Sequence, residues 1–149
     1  MIGIAVIILM AVIILLVVST PIVNNIIAAN IERTLKKTPF PDSTELCDSL
    51  NVAGKINGNG NGMQFFGAIL IRSGLSIEEL DDYYSKYRED EYSYIVESQI
   101  DAEISKNVND HGGISFPYLK NMEKFDDFYI VYTWGSSNYV FSDLDLRGH

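Results

Sequence analysis

Few side chains in this sequence could carry out a reaction. His111 stands in the segment Asp-His-Gly-Gly at 110–113, which predicts a loop. It could act as a general acid or base if a carboxylate or a serine lay beside it. Cys47 is the single cysteine, and it would need a histidine neighbour to lower its pKa. No Gly-x-Ser-x-Gly elbow is present. We therefore predict no catalytic residues, and a hydrolase that uses His111 stays open as an alternative.

Metal ligands are also sparse. The two histidines, His111 and His149, do not stand at ligand spacing from Cys47, and one cysteine excludes zinc sites built from two or four. Carboxylates at 126–127 and at 143–145 supply oxygen ligands, but neither pair belongs to an EF-hand pattern. We predict no metal ion and no cofactor.

The most unusual segment alternates asparagine and glycine from 57 to 62. Both residue types tolerate positive φ, so the segment predicts a hairpin turn between two strands. Successive N–H groups in such a turn can also form a nest that binds an anion. The Lys-Ser/Thr ending of a phosphate loop is missing, and a strand comes next. A structural hairpin and a ligand loop both stay open, and the candidate ligand residues are Asn57, Gly58, Asn59, Gly60, Asn61 and Gly62.

Tyrosines are concentrated between positions 83 and 94. Tyrosine offers a large contact area with a polar group, which favours protein interfaces. Tyr84 and Tyr87 fall on the apolar stripe of a predicted helix and are assigned to the core. The predicted interaction surface consists of Tyr83, Tyr92 and Tyr94.

Length and charge limit the class of protein that can position these residues. The chain has 149 residues, 11 Lys and Arg against 20 Asp and Glu, and a formal charge of -9. This length allows one compact domain with an appendage. A nucleic-acid-binding protein needs a basic surface to displace counterions from phosphates, so we predict no nucleic-acid partner.

The amino-terminal segment is apolar enough to enter a membrane. The 22 residues Ile2–Val23 carry no charge, and the first charged side chain is Glu32. As an α-helix, Ile2–Val23 spans about 33 Å, which matches a hydrocarbon core roughly 30 Å thick. We predict a transmembrane anchor at 1–23 that contacts the lipid bilayer. A signal peptide cleaved after Ala29 is the alternative, but its apolar run would be unusually long and no basic residue precedes it.

Competing signals bear on the side of the membrane that the domain occupies. Arg33, Lys36 and Lys37 come after the span, and the positive-inside rule would place them in the cytoplasm. An amino-terminal apolar segment, however, commonly acts as an uncleaved signal anchor that exports the rest of the chain. We favour this second orientation, with the soluble domain extracytoplasmic.

The rest of the chain divides into a linker and a domain. Residues 24–39 predict a juxtamembrane helix or linker, because apolar residues recur every four positions until Pro39 and Pro41 end the helical pattern. Residues 40–149 predict an α+β globular domain, a small antiparallel sheet with one main helix packed on it.

Patterns within the domain predict five strands and one helix. Ser76 and Glu79 form a capping box, so the helix is expected at 76–88. The segment 63–72 has apolar residues on both faces, which indicates a central strand, and Gly67 would let a neighbour approach closely. The segment 101–108 is ambiguous. Strands are expected at 45–56, 63–72, 92–98, 113–118 and 126–134.

Three segments of the chain resemble stretches in small bacterial single-pass membrane-anchored proteins. They are the run Gly54–Gly67 with its Asn-Gly loop, the segment Tyr-Thr-Trp-Gly-Ser-Ser at 132–137, and the terminal Leu146–His149. The resemblance implies a short anchor and a compact domain after it. That group has no assigned activity, so the resemblance transfers no catalytic residues. The uncharged start of this chain departs from the basic start that such anchors usually carry.

Together these patterns predict a single-pass membrane-anchored protein whose domain binds a partner at the membrane surface without catalysis. The expected partner is another membrane or envelope protein, because anchoring raises the effective concentration of a weak binding surface near other membrane proteins. Two alternatives stay open. One is a membrane-tethered hydrolase that uses His111, and the other is an anion or small-ligand sensor that uses the loop at 57–62.

Overall fold

The fold consists of one long amino-terminal helix and a four-stranded sheet. The structure, a computed structural model, describes residues 2–58, 62–87, 93–105, 108–109 and 113–149. The helices and strands in these ranges are α1 (Ile2–Lys37), β1 (Thr44–Gly54), β2 (Gln64–Ser73), α2 (Ile77–Ser85), β3 (Ile95–Ser98) and β4 (Phe128–Gly135). The prediction of an α+β fold is confirmed.

The strands are all antiparallel and lie in the order β1-β2-β4-β3. The two central strands pair Phe66 with Trp134 and Ile69 with Val131. Because successive side chains on a strand point to opposite faces, this register puts Phe66 and Trp134 on one face and Ile69 and Val131 on the other. The pairing of β1 with β2 is irregular around Cys47.

Both faces of the sheet are covered, as the apolar pattern of β2 predicts. On one face, β2 and β4 contribute Phe66, Leu70 and Ile130 to a cluster with side chains from the segment 99–127. On the other face, Ile69 and Val131 pack against both helices. Such double coverage explains why β2 has no polar side of its own.

Helix α1 has two parts with different surroundings. Side chains at positions 3–19 are mostly exposed, whereas Ala28 and Leu35 are fully buried against the sheet. A Cβ atom on Gly67 would lie 2.7 Å from the backbone nitrogen of Glu32, so only glycine lets the helix approach β2 this closely. The predicted linker at 24–39 therefore packs as part of the same unit as the sheet, and no break in packing falls at residue 40.

The helix passes through Pro21 without a break. Proline lacks an N–H group, which removes one hydrogen bond from the turn before it. The hydroxyls of Ser19 and Thr20 donate to the carbonyl oxygen of Leu16, at 3.2 Å and 2.8 Å. Helix α1 then continues to Lys37, two residues before Pro39, the first of the two prolines that were predicted to end the helical pattern.

Two local predictions have different outcomes. The capping box of α2 is confirmed, since Ser76 accepts from the N–H of Glu79 and the Glu79 side chain accepts from the N–H of Ser76. The prediction of a strand at 113–118 is wrong. That segment makes only an isolated bridge between Glu103 and Ser115, and a 3-10 turn begins at Pro117. Proline cannot donate a backbone hydrogen bond to a neighbouring strand, so the segment does not extend the sheet. Its apolar residues Ile114 and Phe116 instead pack on the apolar cluster at one face of the sheet.

Candidate functional site

The Asn-Gly loop begins with a closed turn. The Gln64 side chain accepts from the N–H groups of Ile56 and Asn57, at 2.7 Å and 2.8 Å, and donates to the Asn57 carbonyl oxygen at 2.7 Å. Gly58 and Gly62 have φ angles of 81° and 143°, which only glycine adopts without strain. Hydrogen bonds to the protein itself therefore hold the start of the loop.

The far end of this loop is tied to the end of the chain. The Gly62 N–H donates to the Gly148 carbonyl oxygen at 2.8 Å, and the Met63 N–H donates to a carboxylate oxygen of Asp143 at 2.9 Å. A carboxylate of the protein thus takes the place that an external anion would take at the Met63 N–H. Residues 59–61, which are Asn59, Gly60 and Asn61, lie outside the described residues. Ligand binding by the loop stays a prediction.

The predicted tyrosine surface is divided by the fold. Tyr83 is half-buried on α2, and its hydroxyl donates to the Pro39 carbonyl oxygen at 3.2 Å. Tyr94 is only 9% exposed, and its hydroxyl lies 3.2 Å from that of Thr38. Tyr94 is therefore a core residue and not part of an exposed surface, because α1 and α2 cover its ring. Tyr92 lies outside the described residues.

The residues with reactive side chains are not assembled into a site among the described residues. Burial raises the pKa of the Cys47 thiol and the nearby Glu45 carboxylate adds to the effect, so the thiol is protonated at neutral pH. His111 lies outside the described residues, and a ring nitrogen of His149 lies 2.8 Å from the Asp143 carbonyl oxygen. The part of the chain that the structure describes holds no group of three metal-ligating side chains.

A polar contact that the sequence patterns do not indicate joins α1 to the end of the chain. The residues after β4, at 136–149, form a tail that crosses α1 at positions 20–25. We call this contact the helix–tail junction. At one end of it, the hydroxyls of Thr20 and Tyr139 lie 3.3 Å apart, and Thr20 is fully buried.

The centre of the helix–tail junction is an ion pair between a buried carboxylate and a guanidinium whose side chain is 42% exposed. Asp145 has only 2% of its side chain exposed, and two of its partners come from opposite sides. From the tail, the Arg147 guanidinium donates two parallel hydrogen bonds to the carboxylate, at 3.0 Å and 2.6 Å. From the helix, the buried side-chain amide of Asn24 donates to the same carboxylate at 3.0 Å. This geometry pairs the charge and also satisfies its remaining acceptor positions.

Arg147 extends the junction along the helix. Its guanidinium also donates to the side-chain oxygen of Asn25 at 2.9 Å and to the Pro21 carbonyl oxygen at 3.2 Å. The Arg147 carbonyl oxygen accepts from the Lys55 N–H at 2.6 Å at the end of β1. One residue of the tail therefore ties the helix to the sheet.

The charge state of Asp145 is set by these contacts. The hydrogen bonds from Arg147 are the largest cause, and with the Asn24 amide they outweigh the opposing effect of burial. They lower the pKa of Asp145 to about 2. The carboxylate is therefore ionised at neutral pH, and the pKa of Arg147 is raised in turn by this partner. The junction holds a fully formed ion pair over the physiological range.

A second polar cluster fixes the other half of the docked helix. Glu32 accepts hydrogen bonds from Ser49, at 2.6 Å, and from Asn51, both on β1, and pairs with Lys36 one turn along α1. Burial raises the pKa of Glu32, but the bonds from Ser49, Asn51 and Lys36 outweigh it, so the pKa lies below its usual value. Helix α1 is thus attached to the fold by polar groups at both ends of its buried part.

The fold and the helix–tail junction define a general class: an α+β domain continuous with a long apolar helix. Helix α1 is long and apolar enough to cross a membrane by length and composition. Comparison of the chain with protein-family models, with curated proteins and with solved structures finds no match. The functional assignment therefore depends on the geometry of the chain itself.

Proposed function

We propose that this chain is a single-pass membrane protein whose α+β domain binds a partner at the membrane surface without catalysis. The observation that carries the proposal is the division of α1. Its first part exposes large apolar side chains, with Ile4, Ile7 and Leu15 each about two-thirds exposed, while its second part is buried in the fold. A protein in water would leave this apolar surface unpaired, whereas a bilayer covers it.

The free part of the helix has the length that a bilayer requires. Eighteen residues from Ile2 to Ser19 rise about 27 Å as an α-helix, close to a hydrocarbon core of roughly 30 Å. Among the side chains of α1 that the structure describes, Thr20 is the first that is fully buried. The folded domain therefore begins where the membrane would end, with no intervening flexible linker.

This arrangement fits a binding role better than a free enzyme. A domain continuous with its anchor stays at the membrane surface and meets partners there at a raised effective concentration. The partner that we propose is another membrane or envelope protein. The protonated Cys47 thiol favours a non-catalytic role.

Helix α2 offers the partner surface that we favour. The Lys86 ammonium lies 3.5 Å from the centroid of the Tyr83 ring and 5.3 Å from that of Tyr87, which keeps two aromatic rings and a charge together. Such a group supplies contact area and polar specificity at once. Tyr83 remains in the proposed surface and Tyr94 is removed from it, while Tyr92 stays a prediction outside the described residues.

The binding role is tested by photo-crosslinking in intact cells. A benzoylphenylalanine in place of Tyr83 is expected to form discrete adducts with membrane or envelope proteins after irradiation. The matched control places the same residue at Tyr118, a 45% exposed tyrosine on the opposite face of the sheet. Adducts at position 83 that are absent at 118 support the α2 surface. Equal adducts at both positions, or none at 83, contradict it.

We further propose that the domain lies outside the cytoplasm, because an apolar amino-terminal segment commonly exports the chain attached to it. The test uses Glu78→Cys, an exposed position on α2, in a Cys47→Ser background. A membrane-impermeant maleimide is expected to label this cysteine in intact cells. An Ile8→Cys control, in the proposed span, is expected to stay unlabelled. Labelling at position 78 only after the cells are permeabilised would place the domain in the cytoplasm.

A further inference from the structure

The tail at 136–149 exposes more apolar surface than a short loop in water usually does. Val140 and Leu146 are 84% and 83% exposed, and Phe141 and Leu144 are about two-fifths exposed. Four large apolar side chains thus project from seven consecutive positions. Scattered apolar residues need no explanation, but a contiguous group marks a surface that is covered by something.

The helix–tail junction holds these exposed apolar side chains of the tail beside α1. Leu144 and Leu146 line a groove of about 350 Å³ together with Val17 and Pro21 of α1. The ion pair of Asp145 and Arg147 forms the rest of the groove wall, so the charged groups in this wall are already paired. The exposed apolar surface of α1 therefore continues onto Leu144 and Leu146, beside the paired charges.

The position of this groove relative to the bilayer follows from the length of the proposed span. A hydrocarbon core of roughly 30 Å takes up about 20 helical residues, so a span that starts at Ile2 reaches the far boundary near Pro21. Val17 lies about 6 Å inside that boundary at 1.5 Å per residue. Leu144 and Leu146 line the groove with Val17 and Pro21, while Asp145 between them contacts Asn24, so the two leucines lie around this boundary.

We propose that the tail is a second membrane-contact element, with Leu144 and Leu146 entering the edge of the hydrocarbon and lipid acyl chains filling the groove. Tyr139, whose hydroxyl meets Thr20, then lies at the interface, where tyrosine is enriched in membrane proteins. This inference rests on the proposed membrane anchor. It commits to lipid as the occupant because the groove is continuous with the apolar surface of the spanning helix.

The second contact would give the domain a defined orientation. A single helix can rotate about its own axis and tilt in a bilayer, and its tilt is set by the groups that it contacts at the interface. A tail that enters the bilayer on one side of α1 removes this freedom. The face of the domain that carries α2 then keeps a constant direction toward neighbouring proteins.

The proposal is tested by lipid quenching of the full chain in phosphatidylcholine vesicles. Three variants in a Cys47→Ser background, Leu146→Cys, Ile14→Cys and Glu78→Cys, each receive the same environment-sensitive fluorophore. Vesicles carry a nitroxide near the top of the acyl chain. Position 146 is expected to show blue-shifted emission and loss of fluorescence, as at position 14. Position 78 is the matched negative control, because α2 packs beside Leu35, about 22 Å along the helix from Thr20.

Each outcome distinguishes the tail from the anchor. Quenching at 14 and 146 but not at 78 supports both. Quenching at 14 alone overturns the tail contact and leaves the anchor intact. Absence of quenching at 14 overturns the anchor and the tail contact together. Disulfide-linked dimers of the unlabelled Leu146→Cys variant, formed in vesicles without quenching at 146, would show that a second copy fills the groove and not lipid.

Discussion

A shortened chain that begins at Phe40 is expected to lose cooperative unfolding, whereas one that begins at Thr20 is expected to keep it. The first lacks all of α1, so the sheet face that contains Phe65, Ile69 and Val131 keeps only α2 as its cover. The second lacks only the part of α1 whose side chains are exposed. The two differ by twenty residues, most of them in one helix.

The size of the effect depends on the buried side chains that the shorter chain loses. Leu35 is fully buried, and truncation of such a leucine to alanine alone costs about 2–5 kcal/mol. Ala28 is also fully buried, and Ile27 and Ile31 pack beside it. Their combined loss is comparable to the whole stability of an ordinary domain, about 5–15 kcal/mol.

The measurement is thermal unfolding followed by circular dichroism and by the fluorescence of Trp134, with all chains in the same mild detergent. The full chain and the chain from Thr20 should melt with the same sharp transition. The chain from Phe40 should show neither a sharp transition nor a native fluorescence spectrum. If it melts like the other two, the second part of α1 is not part of the folded unit.

These expectations show how far local patterns in the sequence reach. The central strand β2 was predictable because apolar residues occupy both of its faces, and α2 because Ser76 and Glu79 cap it within four residues. Gly67 indicated that something approaches β2 closely. The approaching group is the backbone at Glu32, and no local pattern records a contact between such distant segments.

The helix–tail junction could not be predicted for the same reason. Asn24 and Asp145 are 121 positions apart, and each alone has an ordinary local explanation, as a polar residue after an apolar run and as a solvated acid. The burial that makes them important arises only when the tail crosses α1. The same limit explains why Tyr94 was predicted to be exposed. It stands in an alternating pattern that is typical of a half-exposed strand, but its ring is covered by both helices.

Replacement of Arg147 by leucine is expected to be the most damaging single substitution in the tail. It would leave the Asp145 carboxylate, which is 2% exposed in the intact junction, without its cation and without the largest cause of its lowered pKa. Removal of one partner from a fully buried ion pair costs about 3–5 kcal/mol. Because the Arg147 side chain is partly open to solvent, the expected loss lies between that range and the roughly 0–1 kcal/mol of an exposed pair. The Arg147→Lys variant should be intermediate. Lysine keeps the charge but lacks the planar fork that reaches Asp145, Asn25 and Pro21 together.

The control is the same change at an exposed ion pair. Arg72 meets Glu45 at 2.5 Å, but both side chains are about half exposed, and such pairs contribute about 0–1 kcal/mol. Arg72→Leu should therefore leave the free energy of unfolding nearly unchanged. Equal losses for Arg72→Leu and Arg147→Leu would mean that burial of Asp145 is not the feature that stabilises the tail.

A local measurement separates release of the tail from general loss of stability. The N–H groups of Lys55 and Gly62 donate to the carbonyl oxygens of Arg147 and Gly148, so their hydrogen exchange reports whether the tail is in place. In Arg147→Leu these two amides should exchange much faster, while the Ile69 amide, in the central strand, changes only as far as global stability falls. Unchanged protection at Lys55 and Gly62 would show that the tail stays bound without its ion pair. In that case the backbone hydrogen bonds from Lys55 and Gly62, and not the charge, hold the tail against the sheet.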